Sequence, residues 1–497
     1  MLRLVRGMPN PAGAEGAELY LFAGDATAAP IHEVIPADDV VLPQRLPDLA
    51  ENPLRLSILH FGDLHGSLSN LTPAPGGHLS PAPGGHLSPA PGGHLSPAPG
   101  GHLSPAPGGH LSPAPRGRSV DHGSEPSFSR IVWRVRQVRR ESRNDPHHAV
   151  LFLSGGDDLG GAVYDELLGD DVDSYRVHAG YHLYSAAGVD AGVVGNHDFD
   201  QGVALLAHAI ERDARFPLLS ANLTAPALAD RLHPAALLVV KGLRIGLVGL
   251  TTPAEIKHRG EAGLRVTHPL VAARNLLPAL RPLCDVLIIL SHLGHSLGAT
   301  TAPTRDAGDV ELASSMPPDI VHLIIGAHTH TALNETGLEI ENIVNNIPIV
   351  EAGPMGRYLG EVELAVGDRA AVTSVRLNPA ANLPADYHFE RREVWPLLDQ
   401  LEPILARPLG RIADHPDLTT AAVRNQFAAG ESALANLIAD ALVAGCRDAG
   451  YPVDLAAIDA SSAYHGLPAG GELTFGDWFQ VMPFADTVRI CPLTGKE

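Results

Sequence analysis

The chain has 497 residues, is 45% hydrophobic and 18% charged, and carries a formal net charge of −21. That length has room for more than one cored domain, and the composition argues against wholesale disorder. The acidic balance disfavours non-specific binding to nucleic acid or anionic lipid, so no nucleic-acid partner is expected.

Residues 1–54 are rich in Ala, Pro and acidic side chains. "AELYLFAG" reads as a strand; the rest is an N-terminal extension to which the sequence gives no role. The start, "MLRLVRGMPNPAGAEG", has no long apolar core after its basic residues and does not read as a signal peptide. No run of about 18 apolar residues predicts a membrane span. These features predict a cytoplasmic protein. The three cysteines, Cys284, Cys446 and Cys491, lie far apart and form no disulfide framework or Cys-based zinc motif.

From Leu56 a rhythm begins. Short apolar runs recur: "LSILHF" (56–61), "AVLFLS" (149–154), "AGVVG" (191–195), "RIGLVGL" (244–250), "DVLIIL" (285–290) and "VHLIIG" (321–326). Buried strands of an α/β protein look like this. "SFSRIVWRVRQVRRES" (127–142) and "VALLAHAIER" (203–212) show helical spacing between them. The connection after the first run holds five copies of "PAPGGHLS", giving a low-complexity insertion over 72–118. Pro and Gly exclude helix and sheet interior there. In extended form its histidines, His78, His86, His94, His102 and His110, would stand roughly 25 Å apart at about 3.1 Å per residue. The insertion therefore reads as an expanded solvated loop, with no catalytic task.

Beyond the first domain, placed at 55–370, residues 371–405 read as a linker containing a helix. A second, smaller domain occupies 406–497. "ESALANLIADALVAGCRD" (431–448) is helical in pattern; "VDLAAID" (453–459) and "DTVRICPLTG" (486–495) are strand-like. The chain stops straight after the last of these, so the second domain reads as incomplete.

The informative feature is the polar residues into which the apolar runs lead. The first run hands over to Asp63 and His65. The next runs hand over to Asp157, then to Asn196, His197, Asp198 and Asp200, then to His292, and last to His328 and His330. Ligand sites in open α/β sheets lie outside the carboxyl ends of the strands, so these residues can converge. Alone, "GDLHG" is an ordinary turn and "GNHDFD" an ordinary helix cap. Five such hand-overs in order are not explained that way. Carboxylate, imidazole and carboxamide without thiolate suit a divalent Mn, Zn, Fe, Co or Ni ion. The count exceeds one site. Two ions need a bridging carboxylate, and Asp157 has that character. His197, oriented by Asp200, is placed to meet developing charge or protonate a leaving group.

"ILHFGDLHG", "LFLSGGD", "VVGNHDFDQG", "LSANLT", "IILSHLG", "IIGAHTHT" and "IVEAGPMGRYLGEVEL" resemble the metallophosphoesterase domain of the 5'-nucleotidase family, which includes UDP-sugar hydrolases and 2',3'-cyclic phosphodiesterases. The resemblance covers about residues 55–365 apart from the repeat. It implies an α/β fold, a four-layer αββα sandwich, with a smaller α+β C-terminal substrate domain. It assigns the first of two divalent metal ions to Asp63, His65, Asp157 and His330, and the second to Asp157, Asn196, His292 and His328. It makes His197 and Asp200 the catalytic dyad.

"ESALANLIADAL" and "LPAGGELTFGDWFQVMPFADTV" resemble that family's C-terminal domain. Its substrate-gripping loop is altered, however. "DASSAYHG" has Tyr464 where an Arg is expected and Asp459 for an Asn. An Arg before the helix motif is also missing, which leaves Arg424 as a substitute. Phe484 suits either base stacking or core packing. The later aromatic and Asp motif is absent.

The resemblance implies hydrolysis of a small-molecule phosphate ester, such as a nucleotide, by attack of a metal-bound hydroxide. A related hydrolase with non-nucleotide specificity, or a metal-binding scaffold that has lost catalysis, are the alternatives. Most relatives act outside the cytoplasm, so a periplasmic or extracellular location is the alternative to the cytoplasmic one. Nothing in the sequence indicates an oligomeric state.

Overall fold

The computed structural model describes residues 1–27, 30–45, 49, 52–69, 128–254, 256, 260–296, 307–426, 431–459, 462–463, 465–468, 470–482 and 488–494. The PAPGGHLS repeat, Tyr464 and Phe484 lie outside the described residues.

All six apolar runs form strands within two residues of their expected bounds: Leu54–Phe61, His148–Ser154, Ala191–Val193, Leu243–Thr251, Val286–His292 and Leu323–Gly326. They are divided between two sheets. In the first, the order is Ala370–Pro379, Tyr358–Val366, Leu54–Phe61, His148–Ser154, Ala191–Val193, Leu218–Leu219 and Leu232–His233. The second sheet centres on Leu243–Thr251, Val286–His292, Leu323–Gly326 and Ile347–Glu351, which run parallel.

Strand alternation builds the layers. Leu56, Ile58, Leu151 and Leu153 of the first sheet face Ile245, Leu247, Ile288 and Leu290 of the second, forming the core between them. Neighbours of opposite parity face outward. Leu59, Phe61, Val150 and Phe152 pack under helix Phe128–Ser142 through Ile131 and Val135. Val248, Leu250, Leu287 and Ile289 pack under helix Pro269–Leu280 through Leu276 and Leu277. Each fully buried side chain of this kind contributes roughly 1.5–3 kcal/mol. Burial on both faces is why these strands read as continuous apolar runs rather than alternating ones. The result is the expected αββα arrangement.

The N-terminal extension has a structural place that its composition did not show. Glu18–Ala23 pairs antiparallel with Ala235–Val240, Leu2–Gly7 pairs with Glu18–Ala23, and Val34–Pro36 runs parallel to Leu2–Gly7. The segment thus widens the second sheet.

Residues 387–405 are helical. Beyond them, Pro408–Ile412 pairs antiparallel with Gly471–Thr474. Val423, Leu434, Ile438, Leu467 and Val481 form a small separate cluster. Helix Ala433–Asp448 is present, with the Ser432 side chain accepting from the Ala435 N–H as its cap. Two strand expectations fail here. Val453–Asp459 and Val488–Thr494 are not strands. An apolar run becomes a strand only where a ladder partner exists, and none pairs with them among the described residues. Leu455 and Val488 are instead 70% and 54% exposed. Among the described residues no helix is long and apolar enough to cross a membrane.

Candidate metal centre

The site forms where the parallel ladder runs past the ends of its strands. Gly155 N–H donates to the Phe61 carbonyl (2.7 Å), Asp63 N–H to Gly156 (2.9 Å) and His65 N–H to Asp157 (3.0 Å). These bonds lock the first two ligand-bearing turns together. The third turn joins through His197 N–H, which donates to Asp157 Oδ1 at 2.9 Å. The last joins through His328 N–H, which lies 3.0 Å from both Asp63 oxygens. His292 Nδ1 contacts the Gly155 carbonyl at 2.7 Å, which aims Nε2 at Asp157 Oδ2, 3.0 Å away. A side chain at Gly195 would collide with Asp157, because its Cβ would stand 2.1 Å from Oδ1. Only glycine lets the third turn approach so closely.

The backbone at these turns is strained. Asp63 (φ 49°), His65 (44°), Asp157 (51°), His328 (87°) and His330 (57°) all lie in the left-handed region. Each such residue costs on the order of 1–3 kcal/mol, and such strain clusters at functional sites.

Two groups result. Ligand atoms of Asp63, His65 and His330 lie within 4.8 Å of one another, and so do those of Asp157, His292 and His328. His65 Nε2 stands 3.0 Å from His330 Nε2 and 3.9 Å from Asp157 Oδ2. Asp157 therefore lies next to both groups. The structure brings together six of the seven residues expected at the metals; the seventh, Asn196, sits between Gly195 and His197, both of which approach Asp157. His197 and Asp200 lie at their edge: His197 Nδ1 is 3.0 Å from Asp200 Oδ2, and its ring centre is 5.2 Å from that of His65. Arg424 is not among these groups; it is exposed on helix Thr420–Gln426, and burial, with a smaller contribution from Arg424, lowers the pKa of His465.

Electrostatics and donor chemistry both fit divalent cations. Burial pushes the Asp63 carboxyl up to about 7, despite the nearby His292. Burial also opposes charge on Asp157 and His292. Their mutual attraction overrides it, holding the Asp157 carboxyl far down and the His292 imidazole up at about 10. Burial holds His65 and His328 down at about 3 and lowers His330, so all three keep the neutral form that donates a lone pair to a metal. Asn196 is fully buried, and neither atom of its carboxamide has a hydrogen-bond partner among the described residues. An unsatisfied buried group costs roughly 1–3 kcal/mol, and a cation taking the carboxamide oxygen would relieve it.

Three acidic residues to which the sequence pattern assigns no role support this centre. Glu351 Oε1 accepts from the Thr331 N–H (3.1 Å) and the Thr329 hydroxyl (3.3 Å), bracing the loop that carries His328 and His330. Asp309 accepts from the Ser291 hydroxyl, beside His292. Asp198 accepts from the Gly195 N–H (2.7 Å) and the Asp158 N–H (3.1 Å), tying two ligand turns together. Glu351 offered the same signal as the others. It closes the strand Ile347–Glu351.

Comparison with known proteins agrees with this architecture. Residues 56–332 match the calcineurin-like phosphoesterase family, and residues 408–497 match the 5'-nucleotidase C-terminal domain. The trifunctional nucleotide phosphoesterase protein YfkN of Bacillus subtilis is 27% identical over 417 residues, covering 76% of this chain and 26% of YfkN. The 5'-nucleotidase of Mus musculus is 27% identical over 345 residues, covering 63% of this chain and 54% of that protein. The chain thus spans about a quarter of one relative and about half of the other. The 5'-nucleotidase precursor from Thermus thermophilus shares the fold, with a TM-score of 0.53 at 20% identity over 86% of this chain and 74% of that one. With more than half of its length matched, the chain belongs to the calcineurin-like phosphoesterase family and carries a 5'-nucleotidase C-terminal domain.

Proposed function

We propose that this chain is a two-metal phosphoester hydrolase that releases phosphate from nucleotides or related small phosphate esters. The carrying observation is the pair of Asp/His groups at the strand ends, one of which contains Asp157 while the other approaches it through His65, with His197 and Asp200 at their edge. Asp63, His65 and His330 would hold one ion, and Asn196, His292 and His328 the other, with Asp157 shared. Two divalent ions there supply positive charge for a phosphate and acidify a water. His197 is the acid–base group. Asp200 fixes its ring through Nδ1, so Nε2 exchanges a proton with the ester's leaving oxygen. The names of the relatives, 5'-nucleotidase and nucleotide phosphoesterase, favour a nucleotide.

The loop "DASSAYHG" favours a second reading, a hydrolase selective for other esters, because it lacks the Arg expected for substrate recognition. One substrate panel separates the two. The Mn- or Co-loaded protein is assayed on AMP, UDP-glucose, a cyclic nucleotide and an aryl phosphate. Turnover led by a nucleotide supports the first reading, and turnover led by the aryl phosphate supports the second. No turnover on any of them overturns the hydrolase reading.

A further inference from the structure

At the end of the sandwich opposite the metals lies a second feature. The loop over residues 9–17 joins the first two strands of the extension and folds back over the last turns of helix Phe128–Ser142. It is firmly anchored. Asn10 Nδ2 donates to the carbonyls of Ser185 (3.1 Å) and Val189 (2.9 Å), and Ala14 N–H donates to Asp190 Oδ1 (2.6 Å). Beneath it is a cavity of about 650 Å³. His148, the first residue of its strand, lines this cavity, whereas Asp157 lies just past the end of the same strand. At about 3.3 Å per strand residue, the two features are roughly 20 Å apart.

The cavity wall is cationic in a chain of net charge −21. Arg136, Arg139, Arg140, Arg143 and Lys241 line it, against one carboxylate, Glu15. Arg136 and Arg139 are neutralised by Asp386 and Asp190, each at 2.8 Å. Of the other three, Arg143 pairs with Glu15, whereas Arg140 and Lys241 meet no carboxylate of the wall. Arg140 has no partner among the described residues. The Arg143–Glu15 pair, at 3.2 Å, is solvent-exposed on both sides and so neutralises weakly. Lys241 Nζ donates to the carbonyls of Ser142 and Asp145, which carry no formal charge. Clustered like charges repel unless an anion joins them, and guanidinium forks match the oxygens of a phosphate. The volume suits a small molecule.

We propose that this cavity is a second anion site, built by the N-terminal extension, that binds a small phosphate-class oxyanion. The test is calorimetric titration of the metal-loaded full chain with inorganic phosphate and with pyrophosphate, at ionic strength matched with sodium chloride. The expected result is a binding event that survives Asp157→Ala, which removes the metal bridge. That event should weaken at least tenfold in Arg140→Glu/Arg143→Glu and a few-fold in Arg140→Gln. Both side chains are exposed, and unchanged circular dichroism and melting temperature establish that each variant is folded. The proposal is overturned if all phosphate binding disappears in Asp157→Ala. It is equally overturned if the arginine variants bind phosphate like the parent chain, or if sodium chloride alone gives the same response.

Discussion

The strand ends from Asp63 to His330 and the segment from Pro408 to Thr494 hold their candidate residues in opposite ways. In the first region the side chains stand on buried parallel strands, and backbone bonds join one turn to the next. In the second, among the described residues, one antiparallel strand pair and a cluster of five buried residues organise the segment, and Arg424 sits exposed on a seven-residue helix. Geometry set by a buried sheet is rigid enough to place several ligands within ångströms of one another. Geometry set by short helices and loops is not. The metal centre should therefore fail sharply when a residue is removed, and the C-terminal region should fail gradually.

The largest expected effect tests the shared carboxylate. Asp157→Ala should lose both ions and lower kcat on the order of 10⁴-fold. Elemental analysis and steady-state kinetics on one preparation check this, and full activity in that variant ends the bridging role. Next is His197→Ala, which should lower kcat by roughly 10²–10⁴-fold while two ions stay bound. Loss of metal from that variant would move His197 from acid–base work to metal binding. Glu351→Ala should weaken metal binding by about 10–100-fold, and Glu351→Gln should recover most of it, because a carboxamide oxygen can still accept from Thr331. Equal losses in both variants would contradict a bracing role.

Smaller effects probe the other side of the comparison. Arg424→Ala should raise KM for a nucleotide by roughly three- to tenfold with kcat unchanged, the pattern of lost uniform binding. No change in either constant removes Arg424 from substrate recognition. The smallest effect is on stability. Burial holds His60 down at about 4 and His178 at about 3, below the roughly 6.5 of an unfolded chain. The unfolded state then binds more protons, so the contribution is complete above about pH 6.5 and fades as pH falls toward 4. His60 has no hydrogen-bond partner among the described residues, so His60→Leu should flatten the decline in melting temperature between pH 7 and pH 5. An unchanged decline would contradict a neutral buried His60.

The sheets and the site were legible in the sequence for one reason. Strands buried on both faces announce themselves as apolar runs, and Asp63, Asp157, Asn196, His292 and His328 each fall at or just past the end of one. Glu351 obeyed the same rule and received no role, because a lone carboxylate does not reveal which backbone it braces. The extension was opaque for a different reason. Leu2–Gly7 and Glu18–Ala23 are too short to show which sheet they join, and that partner, Ala235–Val240, lies more than two hundred residues away. Val453–Asp459 misled because composition cannot show whether a ladder partner exists.

The central claim is that Asp157 joins two metal ions. Electron paramagnetic resonance of the Mn-loaded chain, with the metal counted in the same sample, tests it most directly. Two Mn ions per chain with an exchange-coupled spectrum, replaced in Asp157→Ala by an uncoupled one or by none, is the result expected. A single uncoupled Mn in the parent chain, or coupling that survives Asp157→Ala, would contradict it.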